Sequence, residues 1–165
     1  AKPASVARTM ASKAEEALQL PVSTLPSADT PAEATTLGAA CGGRAAIVDF
    51  WTTRCERCPA ALKKLNALAD KVDAAVLSVC LDDAELAAEL VEDWTAMRHY
   101  AATLDVKERA KKLWHFTSVP HVVVLAPDGH ALLSTGATKV SADDLRAALP
   151  TDNKENRTFA LDDDF

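Results

Sequence analysis

The chain is poor in the residues that mark several common protein classes. Four cysteines in 165 residues are too few to staple a chain of this length as a disulfide scaffold. No apolar run approaches the roughly 20 residues that span a bilayer, and no secretory h-region is recognisable. Basic residues are outnumbered, with 18 Lys and Arg against 24 Asp and Glu, a formal net charge of −6. There is no basic stripe, so nucleic acid is not an expected partner. Aromatics amount to only 5%. What is present is aliphatic material: 48% of the residues are hydrophobic, many of them alanine. That suffices for one core rich in helices, and the length suits one domain with extensions.

Three segments are expected. Residues 1–36 hold a short helix, with Val6, Met10, Ala14 and Leu18 every four residues. From Pro21 to Thr36 the composition turns to Pro, Ser, Thr and Ala, which reads as a linker or an irregular wrap. Residues 37–150 form the compact domain, and the polar stretch 151–165, ending Asp162-Asp163-Asp164-Phe165, is a solvated tail or an acidic docking peptide.

Within 37–150 the pattern alternates. Ala45–Trp51 reads as a strand, apolar except for Asp49. A helix from about Cys58 to Val72 carries Leu62, Leu65, Ala69 and Val72 on one face. Ala74–Leu81 is a second strand. Asp82 and Asp83 then cap a helix with Leu86, Leu90, Trp94 and Met97 at helical spacing. A short strand is expected at Tyr100–Thr103, and Asp105 with Glu108 resembles a capping box for a helix running to about Trp114. His121–Ala126 and Ala131–Ser134 flank a Pro127-Asp128-Gly129 turn as a hairpin. Ser141 caps a last helix, with Val140 and Leu145 at hydrophobic-staple spacing. Strands alternating with helices predict an α/β fold, a sheet covered on both faces.

The chemistry concentrates at Cys55-Glu56-Arg57-Cys58. Two thiols three residues apart, where a strand gives way to a helix, can close into a small disulfide and reopen. A helix N-terminus offers unpaired N–H groups and partial positive charge, which favour a thiolate at Cys55. Arg54 and Arg57 push the same way, and Glu56 opposes them. Half a zinc site is the competing reading, but zinc wants four ligands. No second C-x-x-C or H-x3-H exists, and Cys41, Cys80 and the four histidines are scattered. Cys41 falls in a Gly-Ala-Ala-Cys-Gly-Gly stretch read as a loop, and Cys80 reads as a small core residue. No metal or organic cofactor is expected.

Val48-Asp49-Phe50-Trp51-Thr52-Thr53-Arg54-Cys55-Glu56-Arg57-Cys58 is similar to the V-D-F-W-A-x-W-C-x-x-C of the thioredoxin superfamily. Val119-Pro120 before a valine strand resembles its Ile-Pro-Thr or Val-Pro-Thr. Asp128-Gly129 and Gly136 fall where the family has its hairpin turn and a later glycine. The resemblance covers roughly 37–149. The long segment Asp82–Thr103 and the Gly42-Gly43-Arg44-Ala45 entry look like the tryparedoxin, nucleoredoxin and TlpA-like branch, whereas Asp49 matches ordinary thioredoxins. The implied architecture is a central mixed sheet flanked by helices, with a helix-strand insert and an N-terminal helical extension.

The resemblance also implies roles. Cys55 attacks a substrate disulfide, and Cys58 resolves the mixed disulfide. Asp49, an acid in an apolar strand with an expected raised pKa, takes the proton from Cys58 through a water; its alternative is an edge position facing solvent. Pro120 would be cis, although only about 5–6% of X–Pro bonds in folded proteins are. Having no N–H, it would leave the backbone of Val119 to pair with an extended substrate. Trp51 either lines the substrate groove or packs in the core. His121, in the place of the usual Thr, either contacts substrate or is an idle strand histidine. His99, His115 and His130 carry no argument beyond surface placement. Three departures stand out: Arg54 for the usual Trp, which should shift preference toward acidic partners; no Pro or Gly between the cysteines; and Pro59 directly after Cys58, with Lys63 where thioredoxins have a kinking proline.

The expectation is a monomeric thiol-disulfide oxidoreductase acting on protein disulfides and recharged by a separate reductase or dithiol. A reducing compartment is expected, the cytoplasm or an organelle after leader removal. The alternatives are a redox-inactive interaction module on the same fold, and a peroxidase, whose upstream P-x-x-x-T/S-x-x-C is missing.

Overall fold

The computed structural model of the chain describes residues 13–150. Helical turns over residues 13–18 (α1) lead into strands β1 (Pro21–Thr24) and β2 (Ala34–Thr36) and helix α2 (Leu37–Cys41). Then follow β3 (Ala46–Trp51), α3 (Cys58–Ala69), β4 (Ala75–Cys80), α4 (Ala84–Leu90), β5 (Arg98–Ala101) and α5 (Leu104–Trp114). The chain closes with β6 (His121–Leu125), β7 (Ala131–Gly136), a single 3-10 turn over Ala137–Lys139, and α6 (Ala142–Ala148).

All seven strands form one mixed sheet in the order β2-β1-β5-β4-β3-β6-β7. The most apolar runs take its centre. β3 lies parallel to β4 and antiparallel to β6, so β3 and β6 are buried along their whole length. Period-two alternation splits their side chains between two cores. Ile47, Trp51, Val122 and Val124 face α3, α4 and α6, where Leu62, Leu65, Ala87 and Leu145 meet them. Val48, Phe50, Val123 and Leu125 face α1, α2 and α5, among them Ala17, Leu37, Ala110 and Trp114. The sheet is therefore covered on both faces, and the β6–β7 hairpin is antiparallel, both as the sequence predicts. Leu62, Leu65 and Leu68 are at most 2% exposed. Burial worth about 1.5–3 kcal/mol each fixes α3, and with it the position of Cys58.

The stretch 21–36 is not a linker. β1 pairs antiparallel with both β2 and β5, so it belongs to the same sheet as the rest. Each strand is short, and Val22 is the only buried side chain between them, so no alternation announces them. Pro21 is the first residue of β1, a position where a strand tolerates a missing donor. α1 also packs on the domain: its Ala14 and Ala17 are buried, as is Leu20 just after it. Gly129, at φ 97°, leaves no room for a Cβ against the Ala14 carbonyl. Val6 and Met10, and the stretch 151–165, lie outside the described residues.

Three other local expectations are corrected. The helix after Asp83 stops at Leu90, and its buried residue is Ala87, while Leu86 and Leu90 are 39% and 43% exposed. Asn66 Oδ1 on α3 accepts from the amides of Ala96 and Met97 at 2.9 and 3.2 Å, which ties that stretch to α3 and takes Met97 off any helix. The α5 N-cap is Thr103, whose hydroxyl accepts from the Val106 amide, rather than Asp105. Cys41 ends α2 and is buried, with its thiol pushed up to about 11 by burial. The last helix does carry its cap: Ser141 and Asp144 exchange side-chain and backbone hydrogen bonds at 3.0 and 3.1 Å, with Val140 and Leu145 both buried.

His99 is half-buried and held at both ring nitrogens rather than free on the surface. Its Nδ1 lies 2.6 Å from Ser78 Oγ and its Nε2 2.6 Å from the Trp94 carbonyl oxygen. Burial lowers its pKa against the opposing effect of the Trp94 carbonyl, and the two contacts make it a strut between β4, β5 and the turn after α4.

Candidate redox site

Cys55 and Cys58 are joined by a disulfide, with their Cα atoms 5.4 Å apart. Cys58 is the first residue of α3 and Pro59 follows within its first turn. Proline fits there because the N–H it lacks would have had no intrahelical acceptor. Arg57 occupies the N-cap position without a side-chain cap. The first amides of α3 therefore stay open toward the cysteine turn. The two sulfurs differ in access: Cys58 is fully buried, whereas Cys55 is half-buried and packs against the core from its edge.

Facing Cys55 is the loop before β6. The Val119–Pro120 peptide is cis, and Cys55 Sγ lies 3.6 Å from the Val119 carbonyl oxygen. The Val119 amide donates to no main-chain acceptor among the described residues. The carbonyl of Pro120 accepts from the Ala137 amide at 3.0 Å, which ties this loop to the 3-10 turn after β7.

Asp49 sits in the middle of β3, on the face that carries Ile47 and Trp51 and looks toward α3. It is wholly buried, and neither carboxylate oxygen has a hydrogen-bond partner. The solvent-facing alternative is thus excluded. Burial raises its pKa well above the ordinary value, and the positive charge of Lys64 partly offsets this. Lys64 reaches inward from α3, and its Nζ donates to the carbonyls of Ala137 and Val140 at 3.0 and 2.6 Å.

Trp51 and His121, each open to a substrate-facing or a packed reading, are both buried. Trp51 is 2% exposed, because the alternation of β3 turns it into the core beneath α3. His121 is 7% exposed. Its ring stacks on Phe116 at 4.4 Å, and its Nε2 lies 2.8 Å from Ser134 Oγ. Burial lowers its pKa. Arg54 is exposed beside Cys55. The site therefore brings half-buried Cys55 and Val119 together, with Cys58 and Pro120 buried behind them and Arg54 at the rim, while Asp49 and Trp51 lie inside.

Sequence reasoning missed the anchor of the cysteine turn. Asp82, just after β4, accepts from the Thr53 amide at 3.1 and 3.2 Å and from the Thr53 hydroxyl at 2.8 Å. It also accepts from the Cys80 thiol at 3.0 Å and from the Asp83 amide at 2.8 Å. Partial burial works to raise the Asp82 pKa, but the bonds from Cys80 and Thr53 outweigh it and hold the carboxyl below its usual range. Burial and the bond to Asp82 push the Cys80 thiol up to about 12. An Asp before a helix reads from sequence as a cap; its partner 29 residues upstream leaves no local signal. Asp82→Ala should cost about 1–2 kcal/mol in denaturant unfolding, with Asp82→Asn recovering part of it. Unchanged stability in Asp82→Ala would mean that the latch is idle.

No metal-binding cluster occurs among the described residues, and none of their helices is long and apolar enough to cross a membrane. No protein-family model matches the chain, and no curated protein does. Solved structures do. A thioredoxin-like protein from Aeropyrum pernix superposes with a TM-score of 0.62 at 14% identity, over 90% of this chain and 98% of that one. A secreted Mycobacterium tuberculosis disulfide oxidoreductase homologous to DsbE of E. coli gives 0.59 at 19%, over 81% and 96%. The thioredoxin domain of a thiol-disulfide oxidoreductase from Bacteroides vulgatus gives 0.55 at 20%, over 79% and 92%. At such identities the likeness speaks to architecture, and the architecture it gives is that of this sheet and its helices: the chain has the thioredoxin fold.

Proposed function

We propose that the chain is a thiol-disulfide oxidoreductase that reduces disulfides in other proteins. The observation that carries this reading is the asymmetry of the pair. Cys55 is half-buried with its sulfur against the Val119 carbonyl, while Cys58 is fully buried behind it. In the reduced protein Cys55, as thiolate, attacks one sulfur of a substrate disulfide. An S–S bond forms between Cys55 and substrate, and the other substrate sulfur leaves as a thiolate and takes up a proton. Cys58 then loses its proton and attacks the Cys55 sulfur, closing the Cys55–Cys58 bond and expelling the second substrate thiol. Two electrons and two protons pass to the substrate, and a separate reductase or dithiol restores the pair.

Asp49 is suited to accept the Cys58 proton, because burial raises the proton affinity of its carboxylate. The unbonded amide and the carbonyl of Val119 border Cys55 and suit an extended substrate backbone added as a strand. The open amides at the start of α3 favour the Cys55 thiolate. The test is reduction of insulin by the purified chain supplied with a dithiol. Turnover supports the reading, and turnover no faster than the dithiol alone overturns it.

A further inference from the structure

Beside the disulfide lies an open cleft of about 350 Å³, within the roughly 300–1,000 Å³ range of ligand sites. Three separate parts of the chain build it: Arg57 at the N-cap of α3, the loop from His115 to Pro120, and the turn carrying Lys139. The titratable residues in the lining are Arg57, Lys139, His115 and the largely buried His121, and none is acidic. In a chain of net charge −6 this is a local reversal of sign.

The cations are held ready. Among the described residues neither Arg57 nor Lys139 forms an ion pair. The acids nearest along the chain are engaged elsewhere. Asp144 closes the capping box with Ser141, and Asp143 pairs with Arg146 at 3.3 Å. Glu56, between the cysteines, is exposed and does not line the cleft. The backbone under Lys139 is fixed on both sides. Lys64 Nζ binds the carbonyls of Ala137 and Val140, and the Ala137 amide binds the Pro120 carbonyl. Lys139 is thereby held in register with the loop that faces Cys55.

We infer, resting on the redox reading above, that this cleft is a specificity site. It takes an extended acidic segment flanking the substrate cysteine, with carboxylates on the Arg57 and Lys139 side chains. Charges at an open rim act chiefly on encounter and are screened by salt.

The experiment uses two peptide disulfides of one scaffold, flanked by Asp and Glu in one and by Lys in the other. At low salt the chain should reduce the acidic peptide with a kcat/KM about tenfold higher, and the ratio should fall toward one near 1 M salt. Lys139→Glu should bring the low-salt ratio to one or below, and Lys139→Gln to an intermediate value. The ratio is taken within each variant, so a general change in activity cancels. Equal rates for the two peptides, or a ratio unmoved by Lys139→Glu, would overturn the specificity site and leave the redox reading standing. Failure to reduce either peptide would remove both.

Discussion

Cys55→Ser should lose disulfide reduction by more than about a thousandfold while the fold stays intact. The loss is expected to be complete because Cys58, the only other thiol in the turn, is fully buried and cannot meet a protein substrate. Cys41 and Cys80 cannot substitute: both are buried, and their thiols are raised to about 11 and about 12. The fold should survive because Cys55 sits at the edge of the core and a serine hydroxyl is smaller than the thiol it replaces. The proper comparison is with the reduced native protein. The bridge across so short a loop is worth about 2 kcal/mol by loop closure, and it is absent from both. Insulin reduction and a denaturant curve check the two halves, and retained turnover would rule the mechanism out.

Asp49→Asn should give the second largest effect, and in two opposite directions. Asp49 has a raised pKa in the folded chain, with burial as the main cause and Lys64 opposing; in the unfolded chain it is near the usual value of about 3.9. The folded state thus binds this proton more tightly. The resulting stability is fully present below the unfolded pKa and is lost as pH rises through the folded one. Native protein should therefore weaken on going alkaline, and the Asn variant should not. The variant should become the more stable of the two above the folded pKa, by on the order of 2 kcal/mol. The activity should move the other way. Without a carboxylate to take the Cys58 proton, release of the second substrate thiol should slow by roughly 100-fold. Parallel pH curves for the two proteins, or unchanged release, would remove Asp49 from the account.

Much of this was legible because the strongest signals are local. The AIVDFW run, the C-x-x-C after it and the valine strand after Val119-Pro120 carry their own periodicity or chemistry, and those elements appear in the expected order. Ser141 with Asp144 caps α6 within a single turn of sequence. What escaped depends on partners distant in the chain. β1 and β2 exist because β5 offers an edge, and α1 is fixed by Gly129, over a hundred residues on. Asp82 reaches back to Thr53 and Lys64 forward to Ala137. Trp51 and His121 each carry two readings in sequence, because a sequence gives the residue and its strand, but the depth of burial comes from the opposite layer.

The most direct measurement is capture of the covalent intermediate. In Cys58→Ser the resolving thiol is gone, so attack by Cys55 should stop at the mixed disulfide. Incubated with a peptide disulfide and digested without reductant, the variant should yield one adduct, linked through Cys55. No adduct, or an adduct at Cys41 or Cys80, would contradict the account.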